Sequence, residues 1–379
     1  MVIKRILVAI LALLFLIQMP LFVNAEDQDV PSEYQDILDS IPDDVAELLP
    51  DGLFSSDMSE VEGAVGEMTS WDYIWETLLD LIGLNIGELI GIFATLTGLL
   101  LLCSLLSMLR SSIKNEQLSS IFPLITSIIV SAAILSVTRE PLQRIDLFFE
   151  QMKTMINTMS PAICSLYAMG GNVSVAIVQN YGMIMFLSIF ENVCVIALES
   201  ILGICISLAV ASAFMPNINL KPLSDAIKKV FTFFVGLAML VFSTVISAQT
   251  VLASKADSLG TNTAKMFLRQ FIPLVGGTVG DSLKTVGASI EYLRSTVGIS
   301  IIVIFILLVL PTLITIAGTR LSFIASNAIA GLIGCEKEGK LLSEMASIYG
   351  YVLAIACICS IGFLFLITVF VRCTSALGG

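Results

Sequence analysis

The sequence contains no histidine. Histidine is the commonest general base near neutral pH and the commonest transition-metal ligand, so its absence excludes a Ser-His-Asp triad and most metal centres. The sequence also lacks a phosphate-binding P-loop and the G-x-S-x-G turn of the α/β-hydrolases. We therefore predict a protein that is not an enzyme, with no catalytic residue, no metal site and no cofactor.

Charged side chains are scarce as well: they make up 13% of the 379 residues, whereas hydrophobic residues make up 56%. A soluble domain carries about 25% charged residues, which form much of its contact with water. Long apolar runs without such a polar surface indicate that lipid is the solvent. The predicted fold class is all-α, a polytopic transmembrane helical bundle with about 6–8 spans, some of them broken or re-entrant.

Lysine and arginine are absent from residues 26–109, which carry 18 acidic side chains. The net charge of −12 therefore comes from one acidic block, and the rest of the chain is mildly basic. Nucleic-acid binding depends on Lys and Arg side chains that neutralise phosphates, so we predict no nucleic-acid partner.

The N-terminus has the pattern of a secretory signal peptide over residues 1–25. Lys4 and Arg5 precede the apolar stretch Ile6–Phe22, and Val23-Asn24-Ala25 is a small-residue cleavage site. An uncleaved anchor is the alternative, because polar and proline residues interrupt that stretch. In either case, the chain is predicted to continue outside the cytoplasm.

Residues 26–80 are predicted to form an acidic extracytoplasmic arm. Its proline and acidic content is typical of a solvated, flexible segment with short helical turns, and docking onto a basic partner is the alternative. The arm ends in an aromatic belt of Trp71, Tyr73 and Trp75, which suits the headgroup level of a bilayer. Residues 81–379 are predicted to form the multi-span membrane domain.

The membrane domain contains six apolar runs long enough to span a bilayer. The basic residues between them place residues 110–120 and 215–229 in the cytoplasm, and residues 138–160 and 253–294 outside. A shorter run, Leu321–Ile333, is predicted to be a half-crossing or a tightly packed short span. The six predicted spans are Leu89–Leu109, Ile121–Val137, Gly182–Phe214, Val230–Val251, Val297–Ala317 and Ile348–Val371.

Glycines at four-residue spacing, Gly83, Gly87 and Gly91, lead into the first span. Such a ridge allows another helix to approach closely in lipid, where packing replaces the hydrophobic effect. We predict a helix-packing ridge here, with a chance cluster of glycines as the alternative.

Two carboxylates, Glu191 and Glu199, lie in one long apolar run. A charge at the centre of a membrane helix costs about 2.5–3.5 kcal/mol on insertion scales, so such residues face the bundle interior or water. They are predicted either to line an ion or proton path or to pair with polar groups of neighbouring helices.

The segments between the spans contain an amphipathic pattern and two predicted breaks. Residues 142–159 have the apolar spacing of a helix that lies on lipid, on a partner or on the protein's own body. A proline followed by a glycine pair occurs twice, which predicts broken helices that bind a substrate or only build a scaffold. The predicted break positions are Pro161, Gly170, Gly171, Pro273, Gly276 and Gly277.

The stretch Ala264–Gly277, with the sequence AKMFLRQFIPLVGG, resembles the stage III sporulation protein AE family of endospore-forming bacteria. Thr285-Val286, the region Leu293–Gly298 and the spans that follow are similar to that family as well. The resemblance implies a role in endospore formation, in the mother-cell membrane that surrounds the forespore. It also implies a channel-like or secretion-like apparatus that links the two cells, and it supplies no catalytic or binding residue.

We therefore expect a permease-like, non-catalytic membrane subunit of that apparatus, whose partners are the other subunits and the lipid bilayer. Two alternatives from other classes stay open: a self-contained secondary transporter or ion channel, and a membrane scaffold that only anchors other subunits. Flux through liposomes that contain the purified chain alone distinguishes the transporter from the other two.

Overall fold

The computed structural model describes residues 32–39, 41–111, 116–190, 192, 198–214, 220–271 and 276–372. Every regular element in these ranges is a helix, which confirms the predicted all-α class. The predicted signal peptide lies outside the described residues. The elements are α1 Ser32–Asp39, α2 Asp43–Ala46, a 3₁₀ turn Asp51–Phe54, α3 Met58–Met68, α4 Trp71–Ser111, α5 Glu116–Met169, α6 Val173–Ile189, α7 Leu198–Phe214, α8 Lys221–Phe271, α9 Gly276–Leu332 and α10 Glu336–Arg372.

Four of the helices are much longer than a bilayer is thick. Helix α4 has 41 residues, α5 has 54, α8 has 51 and α9 has 57. At a rise of 1.5 Å per residue these lengths correspond to about 60–85 Å, against roughly 30 Å for the hydrocarbon core of a bilayer. Each of these helices therefore continues well beyond its membrane-spanning part.

Five helices contain a stretch that is long and apolar enough to cross a membrane, within the part of the chain that the structure describes. Helices α6 and α7 are apolar too, but each has only 17 residues. The prediction of one long span over Gly182–Phe214 is not matched by one long helix. The helical residues described in this range are the end of α6 and all of α7. The five stretches are Trp71–Met108, Ile125–Met169, Lys221–Thr263, Ser295–Leu332 and Glu336–Val369.

The short run Leu321–Ile333 is not a separate half-crossing, which corrects the prediction. Residues up to Leu332 continue Val297–Ala317 within α9, and the chain turns at Gly334, whose φ of 76° lies in the left-handed region. Between the two runs there is no proline and only a single glycine. One glycine inside a helix costs about 1 kcal/mol, which is too little to end a helix that its neighbours cover.

Helices α9 and α10 form an antiparallel hairpin at the centre of the bundle. Phe305 packs against Phe363 with ring centroids 4.3 Å apart, and Phe323 packs against Tyr349 at 5.5 Å. The apolar stretches of α9 and α10 are 67% buried, whereas those of α4, α5 and α8 are 22–28% buried. The outer helices therefore present much of their apolar surface away from the protein, as helices in contact with lipid do.

The amphipathic pattern of residues 142–159 belongs to the long helix α5. Its apolar residues pack on the protein's own body rather than on lipid or a partner, because they are buried in the central core. This outcome selects one of the three alternatives that the spacing allowed. The buried residues of the stripe are Ile145, Phe149, Met152, Ile156 and Met159.

The described residues of the acidic arm form the short helical turns that the sequence predicted, but these pack on the bundle instead of being solvated and flexible. Its apolar residues recur at helical spacing and are buried, among them Tyr34, Ile37, Val61 and Met68. Burial raises the pKa of the Tyr34 phenol to about 12. Tyr292 of α9 donates a hydrogen bond to Glu62 of α3 and ties the arm to the bundle.

The N-terminus of α6 is held by a carboxylate of another helix. Asp257 of α8 accepts hydrogen bonds from the backbone N–H groups of Ser174 at 3.1 Å and Val175 at 3.0 Å. These are donors that a helix cannot satisfy internally, and a negative charge there also favours the helix dipole.

We expect Asp257→Asn to lower the free energy of unfolding by about 1 kcal/mol, because the amide offers one acceptor and no charge. Denaturation of the purified protein in mixed micelles measures this loss. The exposed Asp80→Asn is the control and is expected to change stability by less than about 0.5 kcal/mol. Equal effects of the two substitutions would show that the contact does not stabilise α6.

Candidate functional site

Of the two carboxylates predicted to line a path, only Glu199 lies among the described residues. Glu199 lies at the start of α7 and is exposed on the protein surface. Glu191 lies outside the described residues. An exposed carboxylate at a helix start interacts favourably with the helix dipole, which is a sufficient reason for Glu199 to be there.

The glycine ridge lies on an open face of α4. No described atom lies within 4 Å of a Cβ placed at Gly83, Gly87 or Gly91. Exposed apolar side chains flank the ridge, with Ile86 50% and Ile90 59% exposed. The ridge is thus free to receive a helix that is not part of the described structure.

The predicted break positions have different surroundings. Pro161 lies inside α5, so it does not break that helix. The chain does turn between α5 and α6, where Gly170 and Gly171 follow Met169 and the φ of Gly171 is 77°. Pro273 lies outside the described residues, and Gly276 and Gly277 are the first residues of α9.

A short segment of α10, Glu344–Gly350, makes polar contacts with α5 and α8, and its backbone lies beside Arg320 of α9. Ser347 Oγ accepts a hydrogen bond from Lys228 Nζ of α8 at 2.6 Å, and the Tyr349 hydroxyl donates to the Thr138 carbonyl of α5 at 3.3 Å. A helical segment of this length rises about 9 Å, so the contacts lie at one height in the bundle. We give the name polar layer to these polar groups and to those at the neighbouring contacts between helices: Asn85, Glu88, Thr138, Arg144, Lys221, Asp225, Lys228, Thr315, Arg320, Glu344, Ser347 and Tyr349.

One ion pair of this layer lies within α8, and a second joins α8 to α10. Lys228 Nζ lies 2.9 Å from the Asp225 carboxylate, and Lys221 Nζ lies 3.3 Å from Glu344. Lys228 is only 5% exposed and Glu344 only 6%. Each of these buried charges has an opposite charge beside it, which offsets part of the cost of removing it from water.

Helices α4, α5 and α9 contribute the other contacts of the polar layer. Arg144 of α5 lies 2.7 Å from the Glu88 carboxylate of α4. The Thr315 hydroxyl of α9 donates to the Asn85 side-chain oxygen at 2.9 Å. Hydrogen bonds between membrane helices contribute about 0.6 kcal/mol each on average, so the layer also helps to hold the helices together.

Several buried polar atoms of α9 have no hydrogen-bond partner among the described residues. They are the hydroxyls of Thr319 and Ser326 and the Nε of Arg320. The Arg320 guanidinium lies over the backbone of α10, because a Cβ at Gly350 would be 2.9 Å from its Cζ. Unpaired polar groups inside a membrane protein are costly and typically mark a functional region.

The polar layer was not predicted, although α9 carries a signal for it. Thr315, Thr319, Ser322 and Ser326 recur at spacings of four, three and four residues and are all buried. This is the spacing of one helix face, so a hydroxyl stripe is visible in the sequence. Its partners on α4, Asn85 and the Leu89 carbonyl, are 230 and 233 residues away and cannot be identified from spacing.

Comparison with known proteins gives one match. A family model described as stage III sporulation protein AE matches residues 56–376. No curated protein and no solved structure matches the chain. Within the described residues, no group of three or more Cys, Asp or Glu side chains is placed to hold a metal ion.

Proposed function

The chain belongs to the stage III sporulation protein AE family, and we propose that it is the permease-like membrane subunit of a channel-like or secretion-like sporulation apparatus. In this proposal the apparatus links the mother cell and the forespore, and the chain lies in the mother-cell membrane around the forespore. The acidic arm faces away from the cytoplasm. The partners are the other subunits of the apparatus and the lipid bilayer, and the chain carries no catalytic activity.

The polar layer is the observation that carries this proposal. A protein that only anchors other subunits has no need of buried charges such as Lys228 and Glu344, because apolar packing stabilises a bundle at lower cost. Ionisable residues inside a membrane bundle are typical of pathways for ions or polar substrates. We therefore assign Asp225, Lys228 and Glu344 to a polar path, and the path through Glu191 and Glu199 stays a prediction.

A self-contained transporter or ion channel is the second candidate, and the unpaired polar atoms of Thr319, Arg320 and Ser326 favour it. Liposomes that contain only the purified chain test it directly. We expect no flux of ions or small solutes above that of empty liposomes. Flux through the chain alone would favour the transporter over the subunit of a larger apparatus.

Recovery of the tagged chain from sporulating cells tests the proposed partners. After crosslinking, we expect the other subunits of the apparatus to be recovered with the chain. Recovery of the chain alone, at normal abundance in the membrane, would contradict the proposal. If the partners are recovered but transfer between the cells does not require the chain, the chain is a scaffold.

We expect Gly87→Leu to reduce the recovery of partner subunits at least about tenfold, because a large side chain on the ridge blocks close helix approach. Insertion is expected to be unchanged, since no described atom lies within 4 Å of a Cβ at this position. Ile86→Leu on the same face of α4 is the control. Normal recovery with Gly87→Leu would show that the ridge does not bind another helix.

A further inference from the structure

The second half of α8 carries an apolar stripe that nothing in the described structure covers. Leu252 is 68% exposed, Leu259 is 70% exposed and Met266 is 67% exposed. Ala256 and Thr263 lie between them on the same face and are exposed as well. We call these five residues the α8 seam.

The α8 seam lies outside the lipid. The stretch Leu252–Phe271 contains Lys255, Asp257, Lys265 and Arg269, and a membrane span does not carry four charges within 20 residues. The apolar part of α8 before it already provides the length that a span needs. Three large apolar side chains are therefore exposed to water at a regular spacing, which is unfavourable unless another surface covers them.

The opposite face of this part of α8 is fixed to the protein's own body. Ala253 and Thr250 are buried, and Asp257 is hydrogen-bonded to the N-terminus of α6. The seam therefore cannot rotate inward to bury its leucines. It is presented outward by a helix whose orientation is already set.

The spacing of the seam is that of a coiled coil. Its five residues follow one another at intervals of four, three, four and three, which places Leu252, Leu259 and Met266 at one heptad position and Ala256 and Thr263 at the other. Large and small residues thus alternate along the helix. Gly260, beside the seam, has no described atom within 4 Å of a Cβ, so a second helix can approach closely.

We propose that the α8 seam pairs with the α8 seam of a second copy of this chain, as a short parallel coiled coil outside the membrane. Two copies inserted with the same topology carry their α8 helices in the same direction, so the membrane itself enforces parallel pairing. Each leucine then faces its own counterpart across a two-fold axis.

Charge also permits this pairing. Lys255 flanks the seam on one side, and across the interface it faces the uncharged Gly260 of the second copy, so no like charges meet there. Two heptads are short for a coiled coil between freely diffusing chains. Confinement of both copies to one membrane raises their effective concentration, which favours a contact of this size.

Cysteine crosslinking in native membranes tests the pairing with the full chain. We expect Leu259→Cys and Leu252→Cys to give disulfide-linked dimers upon oxidation, at least about fivefold more than the chain with its own cysteines only. Val251→Cys is the matched control. Val251 is 53% exposed and adjacent to Leu252, but it does not lie on the seam.

A second substitution tests the geometry of the contact. Leu259→Lys places like charges opposite each other, so we expect it to abolish the dimer formed through Leu252→Cys while membrane abundance stays normal. Equal crosslinking of Val251→Cys and Leu259→Cys would overturn the proposal, because it would indicate random collision. Crosslinking to a product whose mass is not twice that of the chain would also overturn it, in favour of a different partner.

Discussion

Lys228→Ala is expected to lower the free energy of unfolding by about 2–4 kcal/mol and to reduce the amount of protein in the membrane. The Lys228 ammonium group is 2.6 Å from Ser347 Oγ and 2.9 Å from the Asp225 carboxylate, and the side chain is buried. Its removal leaves the Asp225 carboxylate without its closest counter-charge and leaves a cavity where the stem was packed. Unfolding in mixed micelles and quantitative blotting of membranes measure the two effects.

Lys229→Ala is the matched control for this prediction. Lys229 is the next residue in the chain, has the same side chain and is exposed. Substitution of an exposed residue without a specific partner is expected to change stability by less than about 0.5 kcal/mol. A similar loss in both variants would indicate that the ion pair at Lys228 contributes nothing specific.

A double substitution separates stability from function. Asp225→Asn combined with Lys228→Met removes both charges while it approximately conserves volume, and replacement of both partners of a buried pair is often nearly neutral for stability. If the polar layer only joins helices, the double variant is expected to restore both membrane abundance and sporulation. If the layer forms a polar path, abundance is restored and sporulation is not, and this second result is the one that we expect.

The apolar content of the sequence was sufficient to predict the class of fold but not the limits of its helices. Prolines such as Pro161 were interpreted as breaks, whereas α5 continues through that position. A proline costs a helix about 3 kcal/mol, and the packing of the α5 face that carries Phe149 and Met152 against the core compensates for it. The sequence showed the amphipathic spacing of this face, but not that its packing extends the helix beyond Pro161.

The polar layer illustrates a second limit. Lys228 belongs to a stretch that contains several lysines and follows the end of an apolar run. This pattern indicated a cytoplasmic loop rather than a buried site. Its partner Asp225 is three residues away and on the same helix face, which the sequence does show. Its other partner, Ser347, is 119 residues away, and only the fold brings the two side chains together.

In the arm, the sequence did contain the pattern of an amphipathic helix, but the high acidic content outweighed it in the prediction. Met58, Val61, Val65 and Met68 are spaced as one helix face and all are buried. The high density of acidic side chains favoured a flexible segment, because like charges repel one another. In the folded arm those side chains lie mainly on the outer face, where water screens their repulsion.

Gly318→Val is expected to lower the free energy of unfolding by about 2–3 kcal/mol, through overpacking of the contact between α4 and α9. A Cβ at Gly318 would lie 2.6 Å from Leu89 Cδ2 and 3.0 Å from Leu89 Cγ. The two helices are joined on both sides of this point, by Thr315 to Asn85 and by Ser322 to the Leu89 carbonyl. They cannot separate at Gly318 without breaking these hydrogen bonds.

Gly331→Val in the same helix is the control, because a Cβ at Gly331 has no described atom within 4 Å. Valine has a somewhat higher helix propensity than glycine, so this change is expected to be neutral or to stabilise by a few tenths of a kcal/mol, on the order of the propensity difference.

Leu89→Ala provides the rescue, since it removes the side-chain atoms that meet the new Cβ. We expect the double variant Leu89→Ala with Gly318→Val to lose less free energy of unfolding than the two single variants together, by about 0.5–3 kcal/mol. Additive losses, or a Gly318→Val variant as stable as Gly331→Val, would mean that α4 and α9 do not meet closely at this point.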